Sequence, residues 1–294
     1  MGGVLAEHQH GKGRVRLGRV WREGAVHHMV EWTVSTMLES DMAHAFTTGS
    51  NKGMTATDTQ KNMVYYVGKQ CSSRCTIEEY ATALGKKFVD EYPLVSKAKI
   101  WVEQAPWKRV MVAGQPHNHG FAQYAPATRT TYVEVSKTGP VEVTSGLKNF
   151  KVLKTTQSGY DGFLHDKYTL LGDTSDRIMA TSITSTWKFT SPVPNYDAAY
   201  EAAVTAITET FYGPPDKGVF SPGVQATLYQ MANAILAKVP QVGSVFFNLP
   251  NLHFLPCNPV TSKFDNDVYI ATSEPHGDIE ATVTRQGVQP HCKL

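Results

Sequence analysis

The sequence predicts an α+β fold built from two consecutive domains, each an antiparallel β-sheet with helices on one face. The chain has 294 residues, enough for about two domains at roughly 150 residues each. In both halves the side-chain periodicity gives the order strand, strand, helix, helix, strand, strand, which is typical of α+β proteins. Gly139-Pro140 interrupts the pattern near the middle, so we expect domains over residues 1–137 and 138–294.

The first half begins with a pair of strands. Apolar and polar residues alternate over residues 26–38, a period of two that predicts a strand, and residues 14–21 predict its partner. Glu23-Gly24 supplies the turn between them. Gly18 interrupts the alternation, as is typical of a β-bulge.

Two helices follow in the first half. Thr57 and Gln60 have the spacing of a capping box, which predicts a helix from Thr57 towards Gln70. Thr76 and Glu79 repeat the spacing before a helix whose apolar face carries Ile77, Tyr80, Leu84, Phe88 and Tyr92. Alternation then predicts further strands over residues 98–102 and 131–135.

The second half repeats this order. Strands are predicted over residues 141–153 and 183–189, followed by a helix with Tyr196, Tyr200, Val204, Ile207 and Phe211 on one face. Ser221-Pro222 reads as an N-cap followed by proline at the first helical position. This second helix buries Val224, Leu228, Met231, Ile235 and Val239, and the last strands are predicted over residues 245–249, 268–272 and 279–283.

Composition and charge exclude several classes of protein. Hydrophobic residues make up 41% and charged residues 18%, against about 25% charged in an average chain, which excludes wholesale disorder and favours a large subunit interface. The net charge of +2 is too small to indicate a basic surface that binds nucleic acid. No apolar run approaches the ~18 residues of a membrane span, and the first residues lack the features of a signal peptide. Ala6 stands where a myristoylation signal needs Ser or Thr.

Common cofactor, phosphate and metal motifs are missing. The sequence contains no Gly-x-Gly-x-x-Gly, no phosphate-loop motif and no Gly-x-Ser-x-Gly. His117-x-His119, His27-His28 and the pair Cys71 and Cys75 lack further ligands at structural-zinc spacing, so we predict no metal site. We expect the four cysteines to be reduced thiols.

A set of short motifs resembles the urate oxidase (uricase) family. In chain order they are Gly11-Lys12, Val15-Arg16, Ala56-Thr57-Asp58, Lys61-Asn62, Val67-Gly68-Lys69-Gln70, Gly162-Phe163-Leu164, Asp176-Arg177-Ile178, Val224-Gln225-Ala226-Thr227 and Leu249-Pro250-Asn251-Leu252-His253. Together they span nearly the whole chain. The final Cys292-Lys293-Leu294 differs from the peroxisomal Ser-Lys-Leu address by one atom, sulfur for oxygen, so we expect a peroxisomal location and an import receptor as partner.

The resemblance implies a fold, an assembly and a reaction. Uricases consist of tandem tunnelling-fold domains, and four chains form a hollow, barrel-like homotetramer with each active site between two subunits. The implied reaction converts urate, dioxygen and water into 5-hydroxyisourate and hydrogen peroxide. No cofactor or metal is needed, because doubly deprotonated urate is electron-rich enough to reduce dioxygen itself.

The same resemblance implies three catalytic residues. Lys12 and Thr57 would form a dyad that removes a proton from urate. A lysine can accept a proton only where desolvation or a neighbouring cation disfavours its charged form. His253 would complete the proton relay, because histidine titrates in a suitable range.

The implied urate-binding residues also have physical readings. Arg177 would clamp the anion with its planar fork, and Gln225 would offer a donor and an acceptor to the ring edge. Val224 and Gln225 lie in a first helical turn with open N–H groups, and Thr57 and Asp58, implied to come from the neighbouring chain, repeat this design. Asn251 would hold dioxygen and then water above the urate plane, on the same strand face as His253. Tyr160 stands where the family usually stacks a phenylalanine under the purine, and it retains the stacking face.

Two alternatives remain at this point. A different tunnelling-fold enzyme of pterin or purine chemistry would anchor its heterocycle with a glutamate and often use zinc, whereas this chain has Gln225 and lacks zinc spacing. A urate-binding relative without oxidase activity is suggested only by Tyr160, and is opposed by the retention of Lys12, Thr57 and His253.

Overall fold

The computed structural model describes residues 2–124, 126–257 and 267–288. The chain divides into two compact units, one ending at Gly146 and the other beginning at Leu147, and the division falls within the strand Glu142–Lys154. The domain boundary expected after Lys137 precedes this strand and stays a prediction. The Cys292-Lys293-Leu294 tail lies outside the described residues.

The first unit is an antiparallel sheet with two long helices. Its elements are β1 (His10–Glu23), β2 (Val26–Ser40), α1 (Ala43–Thr47), α2 (Thr57–Gln70), α3 (Ile77–Glu91), β3 (Val95–Gln104), β4 (Trp107–Val112), β5 (Gln115–Gln123) and β6 (Thr128–Ser136). The main sheet has the order β1-β2-β3-β6, antiparallel at each step. β4 and β5 form a separate hairpin that the periodicity did not predict, and the short α1 was not predicted either.

Two local predictions in the first hairpin need correction. The turn between β1 and β2 is Gly24-Ala25, one residue later than predicted, because Glu23 still pairs with Val26. Gly24 takes the left-handed φ of 62° that this turn requires. Gly18 makes no bulge and pairs regularly with Glu31. The bulge lies at Gly13-Arg14 instead, where β1 carries two residues opposite one on β2.

Helix α3 begins and packs as its sequence predicts. Thr76 accepts a hydrogen bond from the Glu79 N–H, while the Glu79 carboxylate accepts one from the Thr76 N–H, which completes the predicted capping box. Its apolar face meets the sheet through Tyr80, whose ring centroid lies 4.7 Å from that of the fully buried Trp32. Gly85 lets the helix approach closely, because a Cβ there would lie 2.6 Å from Val135 Cγ2.

Replacing Thr76 with Ala is expected to lower the free energy of unfolding by about 1 kcal/mol, because the Glu79 N–H loses the hydroxyl that caps it, while the bond from the Thr76 N–H to the Glu79 carboxylate can remain. Urea denaturation measures the change. Thr138→Ala, at an exposed threonine, is the matched control and should stay within about 0.5 kcal/mol of the parent. Equal effects of the two substitutions would show that the cap adds nothing.

The second unit repeats the same order of elements. It holds most of β7 (Glu142–Lys154), then β8 (Met179–Phe189), α4 (Tyr196–Tyr212), α5 (Val224–Lys238), β9 (Val242–Pro256), β10 (Tyr269–Thr272) and β11 (Asp278–Thr284). The strand order is β7-β8-β9-β10, and β11 also pairs with β9. Trp187, Phe211, Phe247, Ile207, Met231 and Ile235 are fully buried in its core. The predicted α+β class is therefore confirmed.

Within the described residues, the longest helices are too short or too polar to cross a membrane. Helix α5 begins differently from its prediction: the N-cap is Gly223, and Ser221 instead hydrogen-bonds Thr227 inside the first turns. The predicted Ser221 cap is therefore wrong. Asn195 caps α4 through a hydrogen bond from the Ala198 N–H.

Candidate functional site

The predicted site residues fall into two groups, one in each unit. We call Lys12, Thr57 and Asp58 the first-unit cluster, and Tyr160, Arg177, Val224, Gln225, Asn251 and His253 the second-unit cluster.

A β-bulge sets the position of Lys12. Lys12 pairs with Thr36, and the register then shifts so that Val15 pairs with Val34. Within the bulge Arg14 takes a left-handed φ of 57°, and its N–H donates to Ser35 Oγ at 3.0 Å. A bulge re-aims the neighbouring side chains relative to a regular strand, so this irregularity directs the half-buried Lys12.

Buried polar residues fix Lys12 against the start of α2. The Lys12 N–H donates to Thr36 Oγ1 at 3.3 Å, and the Thr36 hydroxyl donates to Gln60 Oε1 at 2.7 Å. Thr36 is 2% exposed and Gln60 is 0% exposed, so this link runs through the interior. Gly11 allows the close approach, since a Cβ there would lie 1.9 Å from the Thr36 carbonyl oxygen.

Thr57 and Asp58 open α2 without a side-chain cap. The N-cap is Ala56, and Thr57 is the first helical residue, so the predicted Thr57–Gln60 capping box is wrong because Gln60 turns inward to Thr36. The Asp58 carboxylate binds Lys61 at 2.6 Å and Asn62 at 2.9 Å. The hydrogen bond and charge of Lys61 lower the pKa of Asp58, and the charge of Lys12 adds to this effect. The first-unit cluster is therefore brought together.

Arg177 and Tyr160 contact each other in the second unit. The Arg177 Cζ lies 5.1 Å from the centroid of the Tyr160 ring. Burial lowers the pKa of the guanidinium, which is half-buried. Its Nε is fully buried and, among the described residues, has no hydrogen-bond partner. A buried charged donor without a partner is costly unless a ligand completes it.

Tyr160 is held from several sides. Its backbone exchanges two hydrogen bonds with Thr174, at 2.7 and 2.9 Å. Its ring stacks on Phe163 with centroids 4.7 Å apart and planes at 12°. Phe163 in turn stacks on His165, with centroids 4.4 Å apart. Sequence reasoning assigned no role to Phe163, although the i,i+3 aromatic spacing in this loop was visible.

Val224 and Gln225 form the first turn of α5 beside Tyr160. The N-cap Gly223 has no side chain to cap the helix, so the first-turn N–H groups have no intrahelical partner and receive no cap from this residue. Gly223 lies between the two side chains: a Cβ there would be 3.2 Å from Gln225 Oε1 and 3.8 Å from Tyr160 Cδ2. Among the four longer helices, α2 and α5 lack side-chain caps, whereas α3 and α4 have them.

Asn251 and His253 lie two residues apart on β9, and therefore on one face. The Asn251 N–H donates to the Gly277 carbonyl at 2.9 Å, and Asn251 pairs with Thr181 of β8. His253 pairs with Thr272 of β10. Both side chains are partly exposed.

The structure brings together most of the second-unit cluster. Tyr160 contacts Arg177 and adjoins Gln225 across Gly223. In the described part of the chain, no hydrogen bond, ion pair or ring contact joins Asn251 or His253 to these three. Arg177 nevertheless lies two residues before the start of β8. In that strand Ala180 pairs with Leu252, which lies between Asn251 and His253 on β9.

The histidine-rich segments form no cluster of metal ligands. His117 and His119 of β5 lie with ring centroids 4.6 Å apart, and His27 lies 5.8 Å from His119. Over residues 2–124, 126–257 and 267–288, no three His, Cys, Asp or Glu side chains are arranged to hold a metal ion. Arg109 donates hydrogen bonds to the carbonyls of His27, His117 and Asn118. These bonds hold the histidine segments together without a metal ion.

Comparisons with known proteins agree on one family. The uricase family model matches residues 8–134 and 143–280. The uricase of Arabidopsis thaliana is 41% identical over 299 residues, covering 96% of each chain, and uricase-2 of Phaseolus vulgaris is 43% identical over 298 residues with the same coverage. The crystal structure of the Arthrobacter globiformis uricase superposes with a TM-score of 0.90 at 32% identity, covering 98% of this chain and 97% of that one.

Proposed function

The chain belongs to the uricase family, and from this premise we propose that it is a urate oxidase. The proposed reaction converts urate, dioxygen and water into 5-hydroxyisourate and hydrogen peroxide. The observation that carries the proposal is the half-buried Arg177 guanidinium, which lies over the Tyr160 ring with a buried Nε that has no partner among the described residues. A planar cation beside an aromatic face suits a flat organic anion such as urate.

Urate binding is assigned to the second-unit cluster. Arg177 donates to the oxygen and nitrogen atoms of urate, and the Gln225 amide pairs with the opposite ring edge. The Val224 N–H, at the uncapped start of α5, donates to the anion in the favourable field of the helix dipole. Tyr160 stacks against the purine. The stacking of Phe163 on the Tyr160 ring supports this role, because it holds the ring in place.

Proton transfer is assigned to Lys12, Thr57 and His253. Lys12 takes a proton from urate through the Thr57 hydroxyl, and the resulting dianion gives its electrons to dioxygen. His253 moves protons to the peroxide that forms and from the water that adds to the ring. Asn251 holds dioxygen and then water. The hydrogen-bonded link from Lys12 through Thr36 to Gln60 supports the dyad, because it fixes Lys12 relative to the helix start that carries Thr57.

The complete site is proposed to form between two copies of the chain. One copy supplies Lys12, Thr57 and Asp58, and its neighbour supplies the second-unit cluster, in a homotetramer. The absence of a side-chain cap on both α2 and α5 supports this arrangement, because each helix start keeps donors available for a shared ligand.

The oxidation is proposed to need no cofactor or metal. The protein has to deprotonate urate, orient it and exclude bulk water, which positioned polar groups can do. We also propose that the Cys292-Lys293-Leu294 sequence directs the protein to peroxisomes through an import receptor.

Urate consumption by chelator-treated protein tests the proposed activity. Loss of urate absorbance and formation of hydrogen peroxide should occur in equal amounts under air and stop under argon. An enzyme of pterin chemistry would leave urate unchanged. A binding protein without oxidase activity would retain urate without producing peroxide, so either outcome would contradict the proposal.

Tyr160→Phe is expected to keep turnover and the KM for urate within about threefold, because phenylalanine preserves the stacking face. Tyr160→Ala should raise the KM about 5- to 150-fold, since stacking of a base on an aromatic ring contributes about 1–3 kcal/mol. Steady-state kinetics checks both variants. Equal KM values for the Phe and Ala variants would remove Tyr160 from the binding site.

A further inference from the structure

Two cysteines lie close together at the far end of α2. Cys71 is the C-terminal cap residue of this helix, and Cys75 immediately precedes Thr76, the N-cap of α3. Both are free thiols and partly exposed. Ser72, Ser73 and Arg74 between them are exposed, so solvent reaches this connection.

The position of Cys71 is fixed by neighbours on β1. The Cys71 carbonyl accepts hydrogen bonds from Arg19 Nη2 and Trp21 Nε1, each at 3.0 Å. The Cys71 thiol lies 3.4 Å from the Val67 carbonyl oxygen. Three residues separate Cys71 from Cys75, and the two cysteines flank the short connection between α2 and α3, so their thiols lie near each other.

The surroundings shift the pKa values of the two thiols in opposite directions. The hydrogen bond from Cys75 and the positive charge of Arg19 lower the pKa of Cys71 to about 7. The same hydrogen bond, together with burial, raises the pKa of Cys75. A lowered pKa on one thiol and a raised pKa on its neighbour are what a reactive cysteine and its resolving partner require.

We propose that Cys71 and Cys75 form a peroxide-reactive dithiol, in which Cys71 is oxidised first and Cys75 then closes a disulfide. The ligand class is a small hydroperoxide. Nothing in the urate reaction uses these residues, which lie at the opposite end of α2 from Thr57.

The chemistry balances without any other reagent. The Cys71 thiolate attacks one oxygen of hydrogen peroxide, an S–O bond forms, the O–O bond breaks, and hydroxide leaves and takes up a proton. Cys75 then attacks the sulfenic sulfur, the S–S bond forms, the S–O bond breaks, and the leaving hydroxide takes the Cys75 proton. Two thiols and one peroxide become one disulfide and two waters.

The source of the peroxide rests on the proposed function, because urate oxidation would release one hydrogen peroxide per turnover. The dithiol would then react with the product of the protein's own reaction. Adding hydrogen peroxide directly tests the pair independently of urate chemistry.

The test uses the full-length protein in the presence of a metal chelator. Hydrogen peroxide is added without urate, remaining thiols are alkylated, and peptides are mapped by mass spectrometry. We expect a disulfide between Cys71 and Cys75, while Cys257 stays alkylatable. In a second arm, urate under air should give the same disulfide, and catalase should prevent it.

Variants separate the two roles. Cys75→Ala should stop at the Cys71 sulfenic acid, which dimedone traps, and Cys71→Ser should leave Cys75 alkylatable. Cys257→Ser is the matched control and should form the disulfide as the parent does. In the parent, the alkylation rate of Cys71 should rise with a midpoint near pH 7, with about 15-fold more thiolate at that pH than an ordinary thiol. Cys75→Ala should move the midpoint upward.

The outcomes separate the dithiol from the proposed oxidase. Absence of the disulfide after added peroxide, or equal oxidation of Cys257, would overturn the dithiol and leave urate oxidation untouched. Failure of urate to yield peroxide would contradict the oxidase alone. Disulfide formation with added peroxide but not during urate turnover would overturn the inference that the product is the oxidant.

Discussion

Lys12→Met is expected to lower kcat about 10²- to 10⁴-fold, the usual contribution of a positioned general base, with a much smaller change in the affinity for urate. Methionine preserves the length of the side chain and removes the amine. The bulge at Gly13-Arg14 and the Thr36–Gln60 contact involve backbone and other side chains, so the variant should fold normally. Steady-state kinetics and binding of an inert purine analogue separate the two effects.

The proposed Lys12–Thr57 dyad also predicts the turnover of a double variant. If Lys12 and Thr57 act as one unit, the double variant Lys12→Met/Thr57→Ala should be about as slow as the slower single variant. Multiplicative losses would indicate independent roles and contradict the dyad. Lys52→Met, at an exposed lysine, is the matched control and should keep full turnover.

Arg177→Ala is expected to weaken urate binding by about 2–5 kcal/mol, roughly 30- to 5000-fold, because a buried charged partner of the anion is lost. Inert purine analogues should lose affinity to a similar extent, since the contact is present before any chemistry occurs. Calorimetric titration with such an analogue measures the change.

Two further variants serve as controls for Arg177→Ala. Arg177→Lys should restore little affinity, because an ammonium cannot provide the planar pair of donors. Arg22→Ala, at an exposed arginine, should bind the analogue normally. Unchanged analogue affinity in Arg177→Ala would exclude Arg177 from the binding site.

The spacing of apolar residues predicted most of the long helices and strands. Burying one face of a helix or strand requires apolar residues at a fixed spacing, so this signal is present in the sequence. The paired strands around the Gly24-Ala25 turn and the capped helix α3 follow directly from alternation and from the Thr76–Glu79 spacing. The hairpin of β4 and β5 escaped prediction because it lies outside the main sheet and has no regular buried face.

The two wrong helix caps have different causes. Thr57 and Ser221 both have the residue types and spacing of N-caps, yet Gln60 turns inward to Thr36 and Ser221 bonds Thr227. At α2 a tertiary contact replaced the local capping pattern, and a single sequence could not predict it, because Thr36 is distant in the chain from Gln60. At α5 the competing partner is local, since Thr227 lies six residues after Ser221. The candidate site residues came from the resemblance to uricases, whereas spacing alone would have left Lys12 a solvated charge.

The proposed active site combines residues of two chains. Mixed oligomers of Lys12→Met and Arg177→Ala, made by coexpression, test it most directly. Random pairing in a symmetric assembly should restore about one quarter of the parent activity, because some sites then receive an intact cluster from each chain. Mixed Lys12→Met and Thr57→Ala, which damage the same cluster, should stay inactive. Recovery in the first mixture alone is the predicted result, and no recovery in either mixture would contradict a shared site.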